Sequence, residues 1–309
     1  MNIVLLLVGL AILVKWADFF VDWASGLAKR IGLPPFIIGL TVVALGTSAP
    51  ELFVNLQSAI NWHTELAIWN ILGSNIANIL FICGVCALIW WVQMDKIIHQ
   101  NFAISLLFGV LLWIVSLTAG GTIGVIWGVV LLIATTAYLY YMFKTSEKQD
   151  ILEAESTGYP YRKLILMVAW WLTALILGSN MAVKGAVSIA GLIWLSERII
   201  GLTIIAIGTS LPELITTVVS IRKGQWEMWI GNIVWSNILN IGLIGGITAL
   251  IHPVIFYKST YLDLFVYLWV TILVLILLFI GKKYKITKVR WWLFLLLYII
   301  YVAYIIIQG

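Results

Sequence analysis

Charge is scarce in this 309-residue chain: Asp, Glu, Lys and Arg together make up 10% of it. A soluble domain carries about a quarter. So little charge cannot cover a water-facing surface, which excludes a soluble globular protein. Cysteine is scarce too, with only Cys83 and Cys86. Both lie inside an apolar run, so their CxxC spacing reads as small residues of a membrane helix rather than a redox or zinc site. The three histidines, His63, His99 and His252, fall near segment ends and form no ligand cluster. Strand-like alternation is absent, which argues against a barrel. Only Met1 and Asn2 precede the first apolar run, so no cleavable signal peptide is expected. Nothing suggests covalent catalysis; the expectation is a protein that is not an enzyme and needs no cofactor.

What the chain has in abundance is apolar length. Hydrophobic residues make up 63% of it. Stretches of roughly 18 or more apolar residues recur throughout, each long enough to cross a bilayer. In lipid every backbone polar group needs an internal partner, so these stretches are read as helices. About ten spans are expected, at roughly 3–27, 34–60, 65–92, 101–118, 122–143, 162–190, 198–221, 227–251, 260–281 and 288–308. The expected class is an all-α, multi-pass integral membrane protein. Seventeen Trp residues, many near segment ends, fit an interfacial belt.

The net charge of +5 does not imply nucleic acid, because the basic residues sit in short loops between spans. With both termini outside, the inner loops hold Lys29, Arg30, Lys144, Lys163, Arg222, Lys223 and Lys282, among others. The outer loops hold only Arg198 and Lys258. That bias favours extracytoplasmic termini; the membrane expected is the plasma membrane. The partners expected are ions and lipid, with the chain acting as a monomer.

The longest polar stretch, with Glu147, Asp150, Glu153 and Glu155, divides the chain. The division is 1–143, a polar cytoplasmic linker at 144–161, and 162–309. The linker leaves no room for a folded regulatory domain. The two parts repeat each other. Gly39–Glu51 reads GLTVVALGTSAPE and Gly201–Glu213 reads GLTIIAIGTSLPE. Asn70–Asn78 reads NILGSNIAN and Asn232–Asn240 reads NIVWSNILN. The offset is constant, since 213 − 51 = 162 and 240 − 78 = 162. Five spans per half is an odd number, so the second half enters the membrane from the opposite side. Such inverted repeats are a common plan for transporters with alternating access.

The repeated residues have the chemistry of a cation site. Pro50 and Pro212 lack an N–H and should kink or break spans 2 and 7, helped by Gly46 and Gly208. Irregular backbone at that depth is tolerated where it lines a cavity or is buried in protein. The carbonyls of Ala44 and Ala206 are expected to be freed as ligands. Glu51 and Glu213 lie beside the breaks with no basic residue near them in sequence. A carboxylate at mid-bilayer costs roughly 3 kcal/mol or more unless compensated, and a bound cation is its natural partner. Thr47 and Ser48 fall on the helix face of Glu51, and Ser74 on that of Asn78. Thr209, Ser210, Ser236 and Asn240 repeat the set. Carboxylate, hydroxyl, amide and carbonyl oxygens suit a hard cation such as calcium. Two ionised glutamates would balance one calcium, and sodium ions competing for the same oxygens would couple two fluxes.

GTSAPE with GSNIAN, repeated as GTSLPE with WSNILN, resembles the two alpha-repeats of the sodium/calcium exchanger family, within the cation/calcium antiporter superfamily. The resemblance covers nearly the whole chain. It implies counter-transport of sodium and calcium, a core of spans 2, 3, 7 and 8, and a moving pair of spans 1 and 6. It implies calcium on Glu51, Glu213, Thr47 and Thr209, and sodium on Ser48, Ser74, Ser210, Ser236 and the Ala44 and Ala206 carbonyls. Asn78 and Asn240 would line the middle. Potassium-dependent relatives have Asp at the place of Asn240, and calcium/proton relatives carry a Glu that these segments lack. Trp69 and Trp235 depart from the family's Gly near this motif, which is expected to affect cavity width or helix packing. Lys15 and Lys184 lie within spans 1 and 6, with Asp18 and Asp22 near the first. Snorkelling or local pairing accounts for them; gating is the sharper alternative. A calcium/proton antiporter is the second functional reading, and a cation channel the third.

Overall fold

The computed structural model describes residues 2–31, 39–89, 96–145, 159–191, 199–224, 226–280 and 288–308. Most of the expected linker (146–158) and the loop cations Arg198, Lys282, Lys283 and Lys285 lie outside the described residues.

Six prolines punctuate the chain, and only Pro50 and Pro212 fall in the middle of a span. In the other spans no mid-span proline interrupts an i→i−4 ladder. Span 1 is accordingly one helix, Asn2–Ile31, as are span 4 (Lys96–Thr118), span 5 (Val125–Thr145), span 6 (Tyr161–Gly191), span 9 (Lys258–Ile280) and span 10 (Lys288–Gln308). Spans 2, 3, 7 and 8 are segmented. Span 2 comprises a π-helical turn at Gly39–Val43, a short α piece at Ala44–Thr47 and a helix at Ala49–Ile60. Span 7 mirrors it with Ile200–Ile205, Ala206–Thr209 and Leu211–Arg222. Span 3 runs Thr64–Ala77, a π turn Asn78–Ile82, then Cys83–Ile89; span 8 runs Trp226–Leu239, Asn240–Ile244, Gly245–Ile251. Ten helical runs are thus present among the described residues, in the expected order.

The breaks in spans 2 and 7 have the same geometry. Ser48 has φ −82° and ψ 6°, and Ser210 has φ −83° and ψ 6°. In both, a proline lies two residues on and cannot supply the N–H that the Gly46 or Gly208 carbonyl would receive in an unbroken helix. The four π turns were not foreseen. They too keep the repeat offset, since 240 − 78 = 162 and 205 − 43 = 162. Such bulges cluster at functional sites.

Packing inverts the soluble pattern. Large apolar side chains such as Ile126, Trp170, Phe265 and Ile307 are exposed on the outer helices, while Thr47, Asn70, Asn75 and Glu213 are buried. Spans 3 and 8 are hidden most deeply. Their apolar windows, Thr64–Cys86 and Gly231–Ile251, are 89% and 83% buried. Those of spans 4, 5, 6 and 9 are 22–44% buried, as expected of helices that meet lipid. One apolar cluster holds the interior of spans 3, 4, 5, 8, 9 and 10. A separate one joins spans 1 and 6 through Ala17, Phe20, Val21, Ala24, Leu164, Val168 and Leu175, and touches the core at Val43 and Val219. Spans 1 and 6 approach so closely at Gly178 that a Cβ there would lie 2.9 Å from Ile12 Cγ2 and 3.1 Å from the Gly9 carbonyl. A two-residue antiparallel pairing, Thr122–Ile123 (β1) with Val254–Ile255 (β2), ties the 4–5 loop to the 8–9 loop.

Candidate cation site

The two breaks face each other. Ser48 Oγ donates to Glu213 Oε1 at 2.9 Å, and Ser210 Oγ donates to Glu51 Oε1 at 3.0 Å. Each half therefore gives one serine to the carboxylate of the other. Ser236 Oγ lies 3.1 Å from Ser48 Oγ and 3.4 Å from Glu213 Oε1. Ser74 Oγ lies 3.5 Å from Thr209 Oγ1. Thr47 Oγ1 donates to Asn232 Oδ1 at 3.0 Å, and Thr209 Oγ1 to Asn70 Oδ1 at 3.4 Å. Asn78 and Asn240 open the π turns of spans 3 and 8, one helical turn beyond Ser74 and Ser236. None of Thr47, Ser48, Glu51, Ser74, Asn78 or their five mirror residues is more than 3% exposed. The structure thus brings both acids, both threonines and all four serines into one buried polar layer, with the two asparagines beside it.

Four oxygens in this layer are buried without a hydrogen-bond partner: Glu51 Oε2, Glu213 Oε2, Asn78 Oδ1 and Asn240 Oδ1. They form two pairs related by the repeat. Native proteins satisfy nearly all buried polar atoms, and an orphaned acceptor at this depth calls for a donor or a cation. Lys223 pairs with Asp18 and Asp22, away from this layer. Among the described residues no group of three or more His, Cys, Asp or Glu could hold a metal ion. Two carboxylates are all this layer has, so hydroxyl, amide and backbone oxygens must complete the shell of any ion bound to them.

One expectation is corrected. The carbonyls of Ala44 and Ala206 are not freed by the breaks. Ala44 O accepts the Ser48 N–H at 2.9 Å and the Thr47 hydroxyl at 3.4 Å; Ala206 O accepts the Ser210 N–H at 3.2 Å and the Thr209 hydroxyl at 3.4 Å. The proline acts on the carbonyl four residues before it, which is Gly46 or Gly208. The bond two residues earlier in the ladder survives.

Sequence reasoning overlooked the remaining asparagines of the motifs. Asn70, Asn75, Asn232 and Asn237 are all buried and all hydrogen-bonded to residues of the layer or its neighbours. Their recurrence at the 162-residue offset was the available signal. Asn55 and Thr217, which steady Asn70 and Asn232, share the offset but not the residue type, so the repeat could not single them out. Trp235 is buried with its ring 5.1 Å from that of Tyr138 on span 5. Its mirror position is Gly73, since 235 − 162 = 73. There a Cβ would lie 2.9 Å from Ala206 Cβ and 3.0 Å from the Leu202 carbonyl. The indole therefore breaks the symmetry of the two halves. Lys15 is exposed and lies 5.1 Å over the Trp16 ring, while Asp18 and Asp22 pair across helices with Lys223, not locally.

The model of the family described as sodium/calcium exchanger protein matches residues 1–144 and 163–308. The chain belongs to the sodium/calcium exchanger family. It is an integral membrane antiporter for cations, not an enzyme. The antiporter is 40% identical over 261 residues to the inner membrane protein YrbG of Escherichia coli, covering 81% of this chain and 79% of that one. It is 28% identical over 346 residues to the sodium/calcium exchanger MaX1 of Methanosarcina acetivorans, covering 99% and 98%. A solved structure of the sodium-calcium exchanger NCX_Mj, soaked with 2.5 mM Na+ and 0.1 mM Ca2+, is similar to it. That likeness has a TM-score of 0.82 at 29% identity and covers 98% of this chain and 97% of that one.

Proposed function

We propose that this antiporter exchanges sodium for calcium, binding both by turns at the layer formed by Glu51, Glu213, Thr47, Thr209, Ser48, Ser210, Ser74, Ser236, Asn78 and Asn240. The observation that carries this reading is the set of four buried acceptors without partners, two of them carboxylate oxygens from opposite halves. Oxygen ligands alone suit hard cations. Calcium takes six to eight of them, and Glu51 and Glu213 together match its charge. The Ala44 and Ala206 carbonyls each keep a second lone pair beside their helical bond and serve as weaker contributors to sodium. The likeness to the sodium/calcium exchanger MaX1 and to the sodium-calcium exchanger NCX_Mj supports the choice of ions. Alternating access follows from spans 1 and 6 sliding as a pair over the core, as their separate apolar cluster suggests. The bias of basic loops supports a topology with both termini extracytoplasmic, and in this reading the membrane is the plasma membrane.

The experiment is uptake of labelled calcium into proteoliposomes, with sodium and pH gradients imposed independently. Uptake driven by an outward sodium gradient at equal pH on both sides is expected. Uptake that follows only the proton gradient would replace sodium coupling with calcium/proton exchange. Conduction at channel rates without a counter-ion would remove the carrier.

A further inference from the structure

The three asparagines of each motif divide their work. Asn78 and Asn240 end with an unpartnered carbonyl oxygen, whereas Asn75 and Asn237 hold the amino ends of those side chains. Asn240 Nδ2 donates to Asn75 Oδ1 at 2.9 Å, and Asn78 Nδ2 donates to Asn237 Oδ1 at 3.0 Å. Both bonds cross between the halves. Their sense matters, because an asparagine has two ends. Its carbonyl attracts a cation, and its amino group repels one.

What decides the sense is a backbone atom. Asn75 Nδ2 donates to the main-chain carbonyl of Asn237 at 3.2 Å. A backbone carbonyl is only an acceptor, so Asn75 must point its amino end there. Its Oδ1 is then committed to Asn240, which can answer only with Nδ2. The Asn240 carbonyl is left facing the other way. Asn240 follows Ser236 by one turn, and Ser236 touches Glu213. The chain of constraint runs from a fixed carbonyl through Asn75 to the face of span 8 that carries the acidic layer. Asn237 has no such anchor: its own Nδ2 is buried without a partner. Asn78 and Asn237 can therefore reverse together, while Asn240 cannot.

We propose that Asn75 is a positioning residue that locks the Asn240 carbonyl toward the transported cation, so that one of the two central amides is a permanent ligand. This rests on the cation-site reading above. With Asn75 removed, the Asn240 side chain turns freely and presents its amino end part of the time. Cation binding weakens, while the helices that move during transport are untouched.

The test is a double-mutant cycle on calcium uptake with Asn75→Ala, Asn240→Ala and the pair, each reconstituted as the full chain. A hydrogen bond of this kind is worth about a 3- to 10-fold change in apparent KM for calcium, and Asn75→Ala should raise KM by that much with kcat within about twofold. In the Asn240→Ala background, adding Asn75→Ala should change nothing further. Additive effects, or a fall in kcat at unchanged KM, would overturn the role of Asn75. Should Asn75→Ala not fold, Asn75→Ser enters the same cycle with the same expectation. Wild-type uptake is the separate arm: if it shows no calcium uptake under any gradient, the exchanger reading fails and takes this inference with it.

Discussion

Glu51 and Glu213 are each half-satisfied. One oxygen of each accepts a serine from the opposite half, and the other has no partner. A serine hydroxyl alone does not balance an ionised carboxylate in a buried layer. Glutamine keeps the shape and one acceptor but removes the charge. Glu51→Gln or Glu213→Gln should therefore bring sodium-driven calcium uptake down to background while the protein still inserts and purifies. Near-normal uptake by both variants would remove the pair from the ion path. Residues that only hold others should behave differently, as the KM effect expected for Asn75→Ala illustrates.

At the scale of the element, the breaks in spans 2 and 7 do two things at once. They turn the Ser48 and Ser210 side chains toward the opposite carboxylates, and they replace the i→i−4 bond to the Gly46 or Gly208 carbonyl with one from a capping backbone N–H. Pro50→Ala restores the missing N–H. Proline inside a helix costs about 3 kcal/mol relative to alanine, so the variant's span 2 should become straighter and no less stable. Its melting temperature in detergent is expected to hold or rise. Its calcium uptake rate should fall severalfold, because Ser48 would no longer reach Glu213. A variant that transports normally would show the break to be dispensable. The π turns at Asn78 and Asn240 belong to the same level: each begins at the asparagine whose side-chain Oδ1 is unpartnered.

For the whole molecule, the two halves match in their core and differ at their edges. Lys223, at the end of span 7, lies 2.6 Å from Asp22 Oδ1 and 3.6 Å from Asp18 Oδ1, and it donates to the Asp18 carbonyl at 2.7 Å. This clasp fastens span 1 to the core on the face assigned to the cytoplasm. The mirror positions are Asn61, Asn180 and Lys184, since 223 − 162 = 61, 18 + 162 = 180 and 22 + 162 = 184. No acid is among them, so these three positions cannot form the equivalent clasp. The aspartates are 60–61% exposed, so the pair is worth no more than about 1 kcal/mol and is screened by salt. Lys223→Gln should shift the balance toward the inward-open state by up to about fivefold. The measurement is labelling of an engineered inner-face cysteine, and the difference from wild type should shrink as ionic strength rises. Equal labelling at low salt would show that the clasp does not bias the carrier.

Composition, ten apolar runs and a repeat at one offset determined the class, the order of the spans, the inversion and the principal polar residues. All of these depend on local chemistry or on counting along the chain, which the sequence carries directly. Which oxygens remain without partners was decided only in three dimensions, because satisfaction depends on atoms 135–188 residues apart meeting across the interface between halves. The same holds for Ala44 and Ala206, whose carbonyls stay in the ladder because a proline disturbs the bond four residues back and no other. The π turns left no mark in residue type, and the partners of Asp18 and Asp22 lie some two hundred positions away. Long-range geometry of this kind comes from packing, and packing is settled by all the helices together.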